Sequence, residues 1–488
     1  MKNIVIALLA LLLVIPFTSC DKFLDMKPVD NGIRIENTSA DSTYYKSASD
    51  VEADLAGVYS AFKNEYFELD YFVNGDAQSD DAYAGADNPA NFQIDDYRID
   101  ATNSNVSRDW GYLYSTIGKA NTVINNIDEI TDPLLTAQRK TEIKAEASFM
   151  RAFMYFQLVQ LWGDVPLQLK EVKTISAELL PEIYPLLFPS RSPQAEIYSQ
   201  IITDLEFALT GTKNIREHKG FVTTGAVNAI LAKVYATVEP HDWNKVLTYC
   251  TNVTNGPYNL LSDYDMLWNN ENENSTEAIL EVNYEGTSTD GNWGASMFRG
   301  LDWKKFNIPS NDLVKAFEDE SDDIRKNASI VFLDVTGKWS DDNWPQTQYP
   351  FGNKYRVFTS PSPQNYIFLR LADILLLKAE ALNETGDVAG AAALVNQIRS
   401  RVSLPNTSAS DQASMRLAIE KERRLELAFE GHRWFDLKRT GRAIEVINNA
   451  RDKNGVSLGY QLNENRLVWP IPQSELDKNV KLVQNPGY

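Results

Sequence analysis

Apolar residues recur at spacings of three and four along most of this 488-residue chain, in helix-length stretches that come in pairs. Ala145, Phe149, Ala152, Phe156 and Val159 predict a long helix over 136–162, which Gly163 ends and Pro166 keeps from resuming. Ala53, Leu55, Val58, Tyr59 and Phe62 form a stripe that starts near Val51. Trp110, Leu113, Ile117, Ala120, Val123 and Ile124 mark a helix over 108–130, and Ile197, Ile201, Leu205 and Leu209 another over 193–210. Further helices fit 222–237 and 242–254, then 369–385 and 387–402, and a heavily charged one fits 411–431. A chain with this pattern must bury one face of each helix against a neighbour, so stacked helical hairpins are the expected solution.

The segment ALNETGDVAGAAALVNQIRSR is TPR-like: a helix, a polar turn at Gly386, and an alanine-rich second helix whose small side chains allow close approach. Strict repeats of about 34 residues are not maintained. Long insertions fall at 65–107, 163–192 and 256–366, the last with short strand candidates at 278–284 and 329–335. The expected fold is therefore mainly α, a TPR-like helical hairpin scaffold with long loops and a few short strands.

The chain opens with Lys2, an uncharged run from Ile4 to Phe17, and then Thr18-Ser19-Cys20. This is the layout of a secretory signal, too short for a bilayer span of about 20 apolar residues. Ending on a cysteine, it resembles a bacterial lipoprotein signal, in which Cys20 is lipidated and becomes the first mature residue. The other cysteine, Cys250, then has no partner for an internal disulfide. Acyl chains would hold a water-facing globule to a membrane. With 47 basic against 67 acidic side chains, the net charge of −20 argues against nucleic acid as a partner.

No nucleophile elbow, zinc-protease helix, paired CxxC or phosphate-binding glycine loop is present, and no cofactor is expected. His218, His241 and His432 lie far apart and read as surface or packing residues. Asp76, Asp80, Asp81 and Asp87 lack EF-hand spacing and read as a solvated acidic loop. The charges of 420–439 could be taken for the paired carboxylates of a glycosidase. Abundant arginine would hold those carboxyls down, however, so an ion network locking the last helices is the better reading, with Glu420–Arg424 and Glu430–Arg433 at pairing distance along a helix.

Aromatic residues in the insertions are candidate ligand contacts. Sugars present flat C–H faces edged by hydroxyls, and Tyr or Trp covers such a face at little cost in rotamer entropy. The first insertion offers Tyr83, Phe92 and Tyr97; the large one offers Tyr284, Trp293, Trp303, Trp339, Trp344 and Tyr349. Trp110, Trp162, Trp434 and Trp469 read as core.

Six ordered motifs carry a family resemblance: WGYLYSTIGKAN, RAFMYFQLVQLWGDVPL, GAVNAILAKVYA, FLRLADILLLKAEALNETG, IEKERRLELAFEGHRWFDLKRTG and the closing WPIPQSELDKNVKLVQNPGY; CDKFLDMKP resembles the mature start. The chain resembles the SusD/RagB family of outer-membrane nutrient-uptake lipoproteins. The resemblance implies a cell-surface protein, held to the outer membrane by its N-terminal lipid, that captures oligosaccharides without altering them. It also implies a SusC-like TonB-dependent transporter as partner, with this chain as its hinged lid. Its divisions would be a signal peptide at 1–19, a lipidated tether at 20–48, an N-terminal helical region with a ligand loop at 49–257, and a C-terminal region at 258–488 whose insertion spans 258–366. Oligopeptide capture, as in the RagB branch, and a surface glycosidase are the alternatives.

Overall fold

The computed structural model describes residues 44–85, 88–300 and 305–488; Cys20, Asp87 and Trp303 lie outside them. The first described helices are α1 (Ala48–Tyr59), α2 (Pro89–Asp95), α3 (Ser104–Asn126) and α4 (Ala137–Trp162). Ser47 closes a reciprocal capping box on α1, and Thr136 caps α4 through the Arg139 N–H at 3.1 Å. From Ala145 to Val159 every residue of α4 is buried, so it has no solvent face and serves as the central pillar. Its one buried guanidinium, Arg151, is satisfied by Asp204 at 2.8 and 2.6 Å and by Asn121 at 2.8 Å.

After α5 (Leu180–Leu187), α6 (Gln194–Ala208) and α7 (Thr224–Tyr235) pack on the pillar, and α8 (Trp243–Thr254) packs on α7. The insertion between α8 and the next scaffold helix holds α9 (Gly294–Phe298), α10 (Asn311–Glu320) and α11 (Asp323–Ser329). The scaffold resumes with α12 (Leu371–Glu384), α13 (Val388–Arg401), α14 (Gln412–Glu426) and α15 (Arg433–Arg439), and closes with α16 (Ala443–Asn448) and α17 (Gln473–Lys478). The α12–α13 hairpin turns at Gly386, whose φ of +95° suits glycine, and Asp387 caps α13. The main core runs from Tyr45 to Leu482 through both halves of the chain. Trp110, Trp162, Trp434 and Trp469 are all buried.

Four two-stranded antiparallel sheets tie the insertions together among the described residues. They are β1 (Ala82–Tyr83) with β5 (Ile308–Pro309), β2 (Val165–Pro166) with β3 (Arg191–Ser192), β4 (Ala278–Val282) with β8 (Tyr366–Arg370), and β6 (Ile330–Leu333) with β7 (Tyr349–Gly352). The β1–β5 pair sets Tyr83 opposite Ile308 and so brings the first insertion onto the large one.

The structure departs from the sequence reading at the end of α14 and in the first insertion. The charged helix predicted to reach 431 ends at Glu426. Its Glu426 carbonyl accepts from Arg370 at 2.7 Å, Tyr264 at 2.8 Å and Lys354 at 3.1 Å, and Phe429 and Gly431 then turn to positive φ. Residues 65–81, predicted as loop, form two π-helical turns at Tyr66–Asp70 and Val73–Ala77 that are buried in the core. Phe67 stacks on Phe153 there, and Phe72 on Phe368.

Candidate functional site

Beside the β1–β5 pair lies a cleft of about 320 Å³, within the usual range for small-molecule sites of about 300–1,000 Å³. Tyr83 and Phe92 from the first insertion, Trp339, Asp341 and Asn343 from the large one, and Tyr460 from the segment after α16 line it together. The Tyr83 hydroxyl donates to the Asp341 carboxylate at 3.0 Å and lies 3.3 Å from the Tyr349 hydroxyl, which also donates to Asp341. Burial, with Tyr349 and Asp341 close by, raises the Tyr83 phenol, so it stays a donor. These bonds fix Tyr83 against Asp341.

Trp339 leaves 43% of its surface open, and the Lys305 ammonium sits 5.3 Å from its ring centre. Tyr460 packs edge-on against Tyr97 at 5.2 Å between ring centres. Opposite Trp339, residues 450–458 form a short hairpin. Leu458 N–H bonds to the Ala450 carbonyl at 3.0 Å, and Asp452 accepts from the Asn454 and Val456 N–H groups at 2.8 Å each. Lys453 donates to the Asp342 carbonyl and so links the hairpin to the loop that carries Trp339.

Of the aromatic residues singled out from sequence, Tyr83, Phe92 and Trp339 meet at this cleft. Trp344 lies just behind it, half-buried on Phe332, with its indole N–H on the Pro309 carbonyl at 3.2 Å. Tyr97 is buried, bonded to the Gln78 carbonyl at 3.0 Å, and supports Tyr460 from beneath. Tyr284 is buried at 6% exposure, and its hydroxyl lies on the Phe62 carbonyl. Trp293 packs against the main core and gives its backbone N–H to Glu68 at 3.2 Å. Sequence reasoning missed Tyr460, Leu458 and Asp341; the Asn454-Gly455 turn was the one available signal for the hairpin.

The aspartates of the first insertion are not a solvated loop. Asp76, Asp80 and Asp81 are all buried. Arg433 grips Asp80 at 2.7 and 2.9 Å, and Arg424 grips Asp81 at 2.6 Å and Asp312 at 2.7 Å. Burial alone would raise Asp80, but Arg424 and Arg433 hold it below the usual carboxylate range. Asp76 accepts from the Gly431 N–H at 3.0 Å. Through these bonds α14 and α15 fix the floor of the cleft.

The ion network of 420–439 is present, with different partners from those its spacing suggested. Glu420 pairs with Arg442 and Arg433, not with Arg424, and Glu430 pairs with Arg370 and Lys354, not with Arg433. The chain folds these residues against remote arginines, and burial there outweighs contacts along one helix. His432 is buried, and burial with Lys233 nearby pushes it down to about 4, so it is neutral at pH 7. No cluster of metal-ligating side chains occurs among the described residues, and no described helix is long and apolar enough to cross a membrane.

The fold is thus a helical-hairpin scaffold whose excursions build an aromatic cleft. The chain belongs to the SusD/RagB family: residues 334–488 match the SusD family, and residues 22–236 match the family described as "Starch-binding associating with outer membrane". A SusD-like protein of Formosa agariphila is 27% identical, covering 100% of this chain and 99% of its own. The starch-binding protein SusD of Bacteroides thetaiotaomicron is 22% identical, with 96% of each chain covered. A solved laminarin-binding SusD-like protein is 28% identical, with a TM-score of 0.74, and covers 91% of this chain and 100% of that one.

Proposed function

We propose that this protein is a surface-exposed glycan-binding lipoprotein that captures oligosaccharides and passes them to a SusC-like TonB-dependent transporter. The observation that carries the reading is the convergence of Tyr83, Phe92, Trp339 and Tyr460 with Asp341 and Asn343 on one cleft. Aromatic faces meet the apolar faces of sugar rings, and the carboxylate and amide bond hydroxyls. The scaffold beneath is rigid, so little side-chain entropy is lost on binding. Relatives described as starch-binding and laminarin-binding support saccharide over other ligands.

Binding rather than hydrolysis fits the carboxylates of α14 and α15. Glu426 is held below its usual range by Arg401, Arg370 and Arg325, against the opposing push of burial, and cannot serve as a general acid near pH 7. Anchoring is assigned to lipid on Cys20, outside the described residues.

Calorimetry of the purified chain against a polysaccharide panel that includes laminarin and soluble starch tests the reading. Binding that Trp339→Ala weakens supports it. A chain that ignores the whole panel yet binds oligopeptide pools overturns it. Loss of membrane association in Cys20→Ala tests the anchor, and co-purification of a barrel transporter tests the partner.

A further inference from the structure

A second cleft, of about 570 Å³, opens on the scaffold between the end of α12, the outer face of α14, the end of α15 and the loop before α8. We infer that it is a second saccharide site, for an uncharged chain, and that it works together with the first. This rests on the glycan reading of the first cleft.

Three features lead there. An aromatic ring is available: Trp243 lines the cleft, half-buried, with His241 edge-on at 5.0 Å between ring centres. Beside it the wall is built of preformed ion pairs. Arg416 forks onto Glu384 with two bonds of 2.6 Å, Arg439 onto Glu380 with two of 2.7 Å, and Arg442 meets Glu420 at 3.0 Å. Sugar hydroxyls donate and accept at once. Such pairs offer both kinds of partner from side chains that already hold each other, and each pair is neutral as a unit. The third feature is position. Asp80 lines the first cleft and Glu420 the second, and Arg433 bonds to both, at 2.7 Å and 3.4 Å. Arg433 and its two partners thus link the clefts, and in this proposal one polymer engages both. Linked sites of this kind raise polymer affinity above that of either site alone by about 10²–10⁴-fold when the geometry allows both to fill.

The test uses the full chain with laminarin and soluble starch, each as polymer and as short oligomers, in titration calorimetry. The parent should bind two oligomers per chain. Trp243→Ala should bind one and lose at least about tenfold in affinity for the polymer. Trp339→Ala should likewise keep one site at the parent's affinity, with the first cleft weakened roughly 5–30-fold, and the double variant should keep neither at that affinity. Because Trp243 also packs on the core, Leu417→Arg provides a second variant: Leu417 is 57% exposed on the rim, and an arginine there obstructs the cleft without opening a cavity. One oligomer per chain in the parent, with both variants matching it on the polymer, overturns the second site while leaving the first intact. If neither glucan binds at all, the reading of the first cleft falls and this one with it.

Discussion

Trp339 and Tyr284 come from the same excursion between scaffold helices, and burial separates their roles. Trp339 stands 43% exposed on the cleft wall, and Tyr284 is 6% exposed in the core. Trp339→Ala should weaken oligosaccharide binding by about 1–2 kcal/mol, roughly 5–30-fold, with the melting temperature unchanged. Tyr284→Ala should cost about 3 kcal/mol or more of stability, read by denaturant unfolding. Glu281 makes a separate prediction. It is buried in β4, accepts from Asn365 and Asn274 at 2.8 Å each, and has no partner for its other carboxyl oxygen. Burial pushes its carboxyl up to about 7, against about 4.3 unfolded. The unfolded chain releases this proton first, so the stability it contributes is full below pH about 4.3 and is lost as pH rises through about 7. Glu281→Gln should flatten the pH dependence of unfolding in that window; an unchanged slope would show that Glu281 is ionised throughout.

Among elements, one close fit is the crossing of the turn at Val73–Ala77 with the turn after α14. A Cβ at Gly75 would lie 2.2 Å from the Gly431 carbonyl oxygen, which is backbone and cannot rotate away. Gly75→Ala should therefore destabilise by about 2 kcal/mol or more through overpacking, measured as a fall in the unfolding midpoint; a neutral result would mean the two turns separate freely. This crossing also marks where sequence reasoning stopped. The scaffold helices were legible because each buries one face, which writes a period of three and four into the apolar residues. The central helix is buried all round, so its apolar residues lie on every side and its ends are marked by the Thr136 cap and Gly163. The end of α14 was not legible, because Tyr264, Lys354 and Arg370 set it from far along the chain. Nor were the π-helical turns, whose wider winding breaks the helical period. For the cleft, residue types in the loops pointed to Tyr83, Phe92 and Trp339, whereas Tyr460 joins them from the segment after the hairpin, seated on Tyr97.

Across the whole molecule, arginines reach from one segment to carboxylates of another. Arg370 of β8 binds Glu277, Glu426 and Glu430, and Arg424 of α14 binds the first insertion and α10. Although burial works the other way, Lys233 and Arg423 hold Asp373 below its ordinary range, Arg423 and Arg439 do so for Asp436, and Arg401, Arg370 and Arg325 for Glu426. Groups depressed in this way stabilise the fold above their unfolded pKa of about 4 and lose that contribution as pH falls towards the folded value. Unfolding followed by circular dichroism should therefore set in steeply below pH about 4, and high salt should shift it little, because the pairs are buried. Loss of structure already at pH 5 to 6 would contradict the network's role. The cleft depends on the same network, since Arg424 and Arg433 hold its floor. We propose that the cleft between Trp339 and Tyr460 holds the glycan, and a crystal structure of the chain with the tightest-binding panel oligosaccharide is the sharpest test. Sugar rings stacked on Trp339, with hydroxyls on Asp341, are expected. An empty first cleft, with the ligand bound only against Trp293 or elsewhere on the surface, would contradict it.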